Sequence, residues 1–227
     1  MKIEIKPSPR ALPDAERQAK VDEGGFGKYF TDHMVVADWN AESGWSDATL
    51  KGYEPLTLDP ASMVFHYGQE IFEGLKAYWQ PDGSISLFRP EMNGKRFANS
   101  AKRLALPELP VEDFVATIET LVKHDRGWVP PKVGSSLYIR PFMIATEVAI
   151  GVRPSKSAKY ILIACPVGAY FSTTSAVTVW ISTEYVRASI GGTGEAKCGG
   201  NYAASLLAQQ QAAAQGCDQV VWLDAKE

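Results

Sequence analysis

Cysteine and histidine are both scarce in this chain, and their scarcity narrows its chemistry. Cys165, Cys198 and Cys217 form no CxxC pair and leave one thiol over under any disulfide scheme. That pattern suits a reducing cytoplasm rather than a secreted disulfide scaffold. His33, His66 and His124 have no metal-ligand spacing to one another or to the cysteines, so no metal site is expected. Long apolar runs are missing too: stretches such as residues 160–164 fall far short of the roughly 20 residues that cross a bilayer. Residues 1–10 carry charge but no apolar segment, so a secretory signal is not expected there. Nor is there an excess of basic charge. Lys and Arg number 23 against 26 Asp and Glu, giving a formal net charge of −3. With no arginine-rich arm, a nucleic-acid-binding face is not expected. No internal repeat and no long low-complexity tract occurs.

What remains is an ordinary globular composition, 45% hydrophobic and 22% charged over 227 residues. That length allows one large or two modest domains. Residues 1–33 are polar and proline-containing, and read as an extended or partly disordered arm. Strands are expected at residues 34–39, in short pieces over 45–58, at 73–79 and 84–89, at 136–144 and 159–164, and at 177–182 and 219–223. Pro81-Asp82-Gly83 predicts a hairpin turn between the strands at 73–79 and 84–89. Pro60 opens a short helical turn through Val64. Helices are expected over 90–105, with Met92, Phe97, Ala101 and Leu104 on one face, over 111–124, and over 201–215 with Gly216 as its C-terminal cap. The Gly, Ser and Thr of residues 168–175 read as a linker.

Polar groups in apolar or turn settings point to a site. Residues 191–202 place Lys197 between two glycine-rich arms just before a helix. Glycine there permits positive φ and close approach to a ligand. Arg140 interrupts an apolar strand, and a buried guanidinium needs an anion or several acceptors. Arg96 sits in the first turns of a helix, where a cation suits the macrodipole poorly unless an anion is near. Two arginines beside a glycine loop suggest an anionic ligand, phosphate or carboxylate. The competing readings are a solvated loop, an Arg140 paired internally and an Arg96 in water.

Five motifs then occur in order: His66-Tyr67-Gly68-x-x-x-Phe72-Glu73-Gly74, Leu87-Phe88-Arg89-Pro90, Tyr138-Ile139-Arg140-Pro141, Cys165 to Phe171 (CPVGAYF), and Lys197-x-Gly199-Gly200-Asn201-Tyr202. Together they resemble the branched-chain aminotransferases, fold type IV enzymes that use pyridoxal 5′-phosphate. The resemblance runs from about residue 30 to Glu227. It implies an α+β, two-domain fold. Residues 1–33 would be an N-terminal arm, 34–171 a small α+β domain, 172–183 an interdomain linker and 184–227 the start of a larger cofactor-binding domain, here incomplete.

Carried over residue by residue, the resemblance implies that Lys197 forms the Schiff base with the cofactor aldehyde and later serves as a base. Arg96 would grip the cofactor phosphate and Tyr202 would bond the ring oxygen. Phe72, Tyr138 and Tyr170 would line the substrate side-chain pocket. Arg140 would engage the γ-carboxylate of glutamate or 2-oxoglutarate. Tyr67, Ile150 and Val152 would come from the neighbouring subunit of a homodimer with shared active sites. Leucine, isoleucine and valine, with their 2-oxo acids, are the implied substrates.

One departure stands out. The family glutamate that protonates the pyridine nitrogen has no motif-matched counterpart, and Glu227 is not assigned to it. A longer functional protein or an inactive fragment would each account for this. The alternative enzymes are a D-amino acid transaminase or an aminodeoxychorismate lyase, against which the motifs around His66 and Arg140 argue. Outside catalysis, the alternative is a non-catalytic chain.

Overall fold

A computed structural model describes residues 1–168 and 176–225. Through Val167 the strands join one curled nine-stranded sheet. Its main path starts with β1 (Ile3–Ile5), β4 (Ala48–Gly52) and β2 (His33–Asn40), and continues through β9 (Ser157–Val167), β8 (Ser136–Ala145), β6 (Leu75–Trp79) and β7 (Ile85–Leu87). Two short strands lie off that path: β3 (Gly44–Trp45) on β2 and β5 (Glu70–Phe72) on β8. The long β8–β9 pair runs antiparallel from Ser136 opposite Val167 to Ala145 opposite Ala158. Its buried residues, Leu137, Ile139, Met143, Leu162 and Ala164, explain why both segments are rich in aliphatic residues. The 73–79/84–89 hairpin forms, shortened to β6 and β7.

Two helices cover one face. α3 (Pro90–Arg103) opens with proline in its first turn, and α4 (Val111–His124) follows Pro110. α4 buries Phe114, Thr117, Ile118, Leu121 and Val122, a spacing that follows its helical period. Phe97 of α3 is fully buried, its ring 5.4 Å from Phe114 and 5.8 Å from Tyr160. The Tyr160 hydroxyl, equally buried, donates to Thr117 Oγ1 at 3.0 Å, and burial pushes its pKa well above the usual phenol value. Of the four residues expected on the inner face of α3, Met92 is 44% exposed. Gly94 and Ser100 are buried in that helix instead, Gly94 lying close against Val111 and Phe114 of α4.

The first 33 residues are not a free arm. β1 pairs in parallel with β4, and the Lys6 N–H extends the ladder to the Leu50 carbonyl at 2.8 Å. α1 (Asp14–Glu23) then packs by way of Val21 into the main core. Asp32 fastens the segment: one carboxylate oxygen accepts from the Leu12 amide at 2.9 Å and the other from the Trp128 indole at 2.7 Å. These partners are remote in sequence, so local polarity gives no sign of them. The turn expected from Pro60 forms later, as α2 (Met63–Tyr67).

Beyond the nine-stranded sheet, β10 (Val179–Ser182) pairs in parallel with β11 (Gln219–Trp222). The crossover between them carries the lysine loop and two helices, α5 (Gly199–Ala203) and α6 (Leu206–Ala214), where one helix was expected. The break lies at Ser205. Its hydroxyl donates to the Tyr202 carbonyl at 2.7 Å and its amide makes a tight turn to the same oxygen. A serine that bonds nearby backbone competes with the helical ladder in this way. Among the described residues no helix is long and apolar enough to cross a membrane.

Candidate active site

Lys197 sits where the crossover loop meets β5, and its backbone is gripped from both sides. Its N–H donates to the hydroxyl of buried Ser100 on α3 at 2.9 Å, and its carbonyl accepts from the Phe72 amide at 2.9 Å. The glycine-rich arm before it is ordered by Asn201. The Asn201 side-chain nitrogen donates to the Thr193 and Ala196 carbonyls, both at 2.8 Å, and its oxygen accepts from the Thr193 hydroxyl at 2.7 Å. Arg103 of α3 reaches the Gly191 and Gly192 carbonyls at 3.3 and 3.1 Å. This is a braced loop, not a solvated turn.

The Lys197 ammonium donates to the Tyr202 hydroxyl at 2.6 Å. It also lies 4.5 Å from the Phe72 ring centre and 4.8 Å from that of Tyr202, and those two rings are 4.9 Å apart. The Arg140 guanidinium stands 4.7 Å from the same Phe72 ring and donates to the Tyr138 hydroxyl at 2.9 Å. Two cations thus share one aromatic ring, an arrangement favoured by the ring quadrupole. Arg140 Nε is buried and has no hydrogen-bond partner among the described residues. A buried, unmatched donor costs stability unless a ligand acceptor comes to it. Gly74 is required beside this cluster, because a Cβ there would overlap the Tyr138 hydroxyl.

Arg96 is held by a carboxylate to which the sequence motifs assign no role. Glu73 has 0% side-chain exposure, and both its oxygens accept from Arg96, one from Nε and the other from Nη2 at 2.9 Å. Asn93 and the Gly74 amide add bonds of 2.9 and 3.0 Å. The Glu73 hydrogen bond raises the Arg96 pKa further, so its charge is permanent. About half of the Arg96 side chain stays exposed, and it lines a cavity of about 540 Å³ with Asn99, Lys102, Arg103 and Glu195. A second cavity of about 550 Å³ adjoins it at Arg103 and Glu195, walled by the glycine loop.

Lys197, Tyr202, Phe72, Tyr138 and Arg140 are therefore one cluster, linked by direct contacts. Tyr170 lies outside the described residues. Tyr67, Ile150 and Val152 come from α2 and from the loop that follows residue 149. Tyr67 ends α2, which is joined to the 147–149 segment by the Met63 amide to the Glu147 carbonyl at 2.9 Å and a Ser62–Val148 bridge. Ile150 and Val152 project from that loop with 76% and 89% exposure. Among the described residues no hydrogen bond or ring contact ties these three to Lys197. Four contributors escape a reading of the sequence. Glu73 finds Arg96, and Ser100 finds the Lys197 amide, only across the fold. Phe26, its ring 5.0 Å from that of Tyr138, is flagged only by its glycine neighbours. Glu70 accepts the Gly199 amide, while burial pushes its pKa up against that bond and Arg140. Among the described residues no cluster of His, Cys, Asp or Glu could hold a metal.

The loop with Ile150 and Val152 has its own clamp. Glu147 accepts from both Arg153 terminal nitrogens, at 2.8 and 2.7 Å, and from the Lys156 amide at 2.6 Å. Together they lower its pKa from 4.5 to about 2. A depressed carboxylate pKa stabilises the folded loop above the ordinary carboxylate range and loses that contribution as pH falls towards the folded value. Hydrogen exchange over residues 147–156, corrected for intrinsic rates, is expected to hold steady down to about pH 4.5 and then to lose protection progressively towards pH 2. In Glu147→Gln that acid step should disappear.

The amino-transferase class IV family model matches residues 70–227. The chain belongs to this family. Two curated relatives are close over nearly the whole chain. One is the probable branched-chain-amino-acid aminotransferase of Streptomyces coelicolor, 58% identical over 99% of this chain and 63% of its own length. The other is the branched-chain-amino-acid aminotransferase of Mycolicibacterium smegmatis, 60% identical over 94% of this chain and 59% of its own length. The chain thus spans about three fifths of these relatives. The solved T.th. branched-chain amino acid aminotransferase with pyridoxamine 5′-phosphate superposes with a TM-score of 0.66 at 29% identity, covering 83% of this chain and 59% of that one. The fold is that of the fold type IV aminotransferases, seen here as a mixed α/β arrangement with a curled sheet and a separate parallel strand pair.

Proposed function

We propose that this protein is a branched-chain aminotransferase, moving the amino group of L-leucine, L-isoleucine or L-valine to 2-oxoglutarate by a ping-pong route. The observation that carries the reading is the Lys197 amine, 2.6 Å from the Tyr202 hydroxyl and on the same Phe72 ring as Arg140. It is supported by relatives of that name at 58% and 60% identity.

The residues present fit pyridoxal 5′-phosphate. A primary amine and a phenol stand side by side, and Arg96 offers a permanent, half-exposed charge beside a cavity. When bound, that cofactor supplies an aldehyde for the amine to condense with and a ring that withdraws electrons from the reacting carbon. Lys197 would anchor it, Tyr202 would bond its ring oxygen and Arg96 its phosphate.

Freed as an amine, Lys197 takes up the substrate Cα proton at Nζ and later returns a proton from the same atom. Tyr202 orients that nitrogen through the hydroxyl it already shares with it. Phe72 and Tyr138 would line the pocket for an aliphatic side chain, with Tyr170 assigned to the same pocket by its motif. Arg140, whose Nε–H has no acceptor among the described residues, would take the γ-carboxylate of 2-oxoglutarate or glutamate. One pocket therefore serves two chemically different side chains.

In this reading the enzyme is a homodimer, with Tyr67, Ile150 and Val152 given to the partner's site; the exposure of Ile150 and Val152 supports it. Residues 34–171 form the small domain, 172–183 the linker and 184–227 part of the cofactor-binding domain. A cytoplasmic location fits three free cysteines. The full-length protein, given 2-oxoglutarate and pyridoxal phosphate, is expected to use L-leucine at least about 100-fold better than D-alanine by kcat/KM. A preference for D-alanine would point instead to a D-amino acid transaminase.

A further inference from the structure

We propose that Glu70 is a positioning residue for Lys197: its carboxylate holds the Gly199 amide and so keeps the lysine segment seated on β5. This rests on the reading of Lys197 as the reactive amine. Glu70 and Phe72 alternate along β5 and face the same side of the strand. Glu70 Oε1 accepts the Gly199 N–H, across 129 positions of sequence, while the Phe72 N–H holds the Lys197 carbonyl at 2.9 Å. β5 therefore grips both ends of Lys197-Cys198-Gly199, and the ring of Phe72 meets the ammonium of the same lysine. Strand, lysine backbone and lysine side chain are fixed by one element.

The need for this grip is local. Gly199 is the first residue of α5, and its amide is one of the helix-start donors with no partner inside the helix. The residue before it, Cys198, makes no side-chain capping bond. A carboxylate supplied from β5 takes over that role, where the amide dipoles at a helix start favour negative charge. Two successive glycines, Gly199 and Gly200, would otherwise leave the backbone after the lysine free to move. A Cβ at Gly199 would overlap the Glu70 carboxylate, so the two groups are directly apposed. Ser100 completes the arrangement from α3 by accepting the Lys197 amide. A partly desolvated carboxylate is costly to keep, which sets Glu70 apart from a surface acid whose loss changes nothing.

The test uses the full-length protein with Glu70→Ala, Glu70→Gln and Glu70→Ala/Gly199→Ala. Hydrogen exchange of the peptide spanning residues 197–203 is expected to speed up about tenfold or more in Glu70→Ala and to return to within about threefold of wild type in Glu70→Gln, which keeps an oxygen acceptor. In the same Glu70→Ala protein kcat should fall about tenfold with KM for the amino donor changed less than about twofold, since the amine is misplaced but the pocket is not. Adding Gly199→Ala to Glu70→Ala should cost little more, because the clash is gone. Wild-type exchange in Glu70→Ala overturns the proposal. So does a loss in Glu70→Ala that Glu70→Gln fails to restore. Exchange reads the clamp whether or not the protein transaminates, so failure here is separable from failure of the functional reading.

Discussion

Lys197→Ala in the full-length protein is expected to lose essentially all transamination, about 10⁴-fold or more in kcat, and to lose the yellow absorbance of the attached cofactor. The reason is chemical rather than structural. The lysine backbone is held through its N–H by Ser100 and through its carbonyl by Phe72, and neither bond involves the side chain. Truncation at Cβ should therefore leave the loop and the unfolding midpoint nearly unchanged. Lys197→Arg separates charge from reactivity. It keeps a cation over the Phe72 and Tyr202 rings, but a guanidinium cannot condense with an aldehyde, so this variant should be as inactive as alanine. Activity in Lys197→Arg near wild type would remove the lysine from the chemistry.

The second large effect is on stability, and it comes from the pair beneath the site. Arg96→Leu would leave the buried Glu73 carboxylate with only the Asn93 and Gly74 donors among the described residues. Breaking a fully buried pair from one side costs about 3–5 kcal/mol. Two donors remain and Arg96 is half exposed, so about 2–3 kcal/mol is expected here, read from the urea midpoint at constant slope. Glu73→Ala should cost less, about 1–2 kcal/mol, because the freed guanidinium can turn to water. The asymmetry between the two single variants is the diagnostic. If Glu73→Ala proves the more damaging, the buried carboxylate is not what Arg96 neutralises. Arg96→Leu should also weaken cofactor retention, an effect that Glu73→Ala shares only through misplacement of the guanidinium.

Much of the fold and the site is legible in the sequence. α4 begins after Pro110 and carries its apolar residues at helical spacing, so its bounds follow from the sequence alone. The β8 and β9 segments declare themselves by aliphatic and β-branched content. The lysine loop stands out because five glycines surround one amine. What stays hidden depends on partners far along the chain. The first 33 residues look like a polar arm until β4 offers β1 a parallel edge and Asp32 finds Leu12 and Trp128. Arg96 reads as solvated or phosphate-bound, and the burial of Glu73 beneath it has no local signature. Arg140 reads as the partner of an anionic ligand or of an internal acid; it rests on Phe72 and Tyr138, and its Nε–H has no acceptor among the described residues. The break between α5 and α6 turns on one serine hydroxyl, which a run of good helix formers conceals.

The central claim is that Lys197, and no other lysine, is the amine that carries the cofactor. It is tested most directly by treating the full-length protein with pyridoxal phosphate, reducing with borohydride, and locating the trapped adduct by peptide mass spectrometry. The geometry around Tyr202 and Phe72 predicts a single adduct on the peptide containing Lys197. An adduct on a different lysine, or none at all, would contradict it.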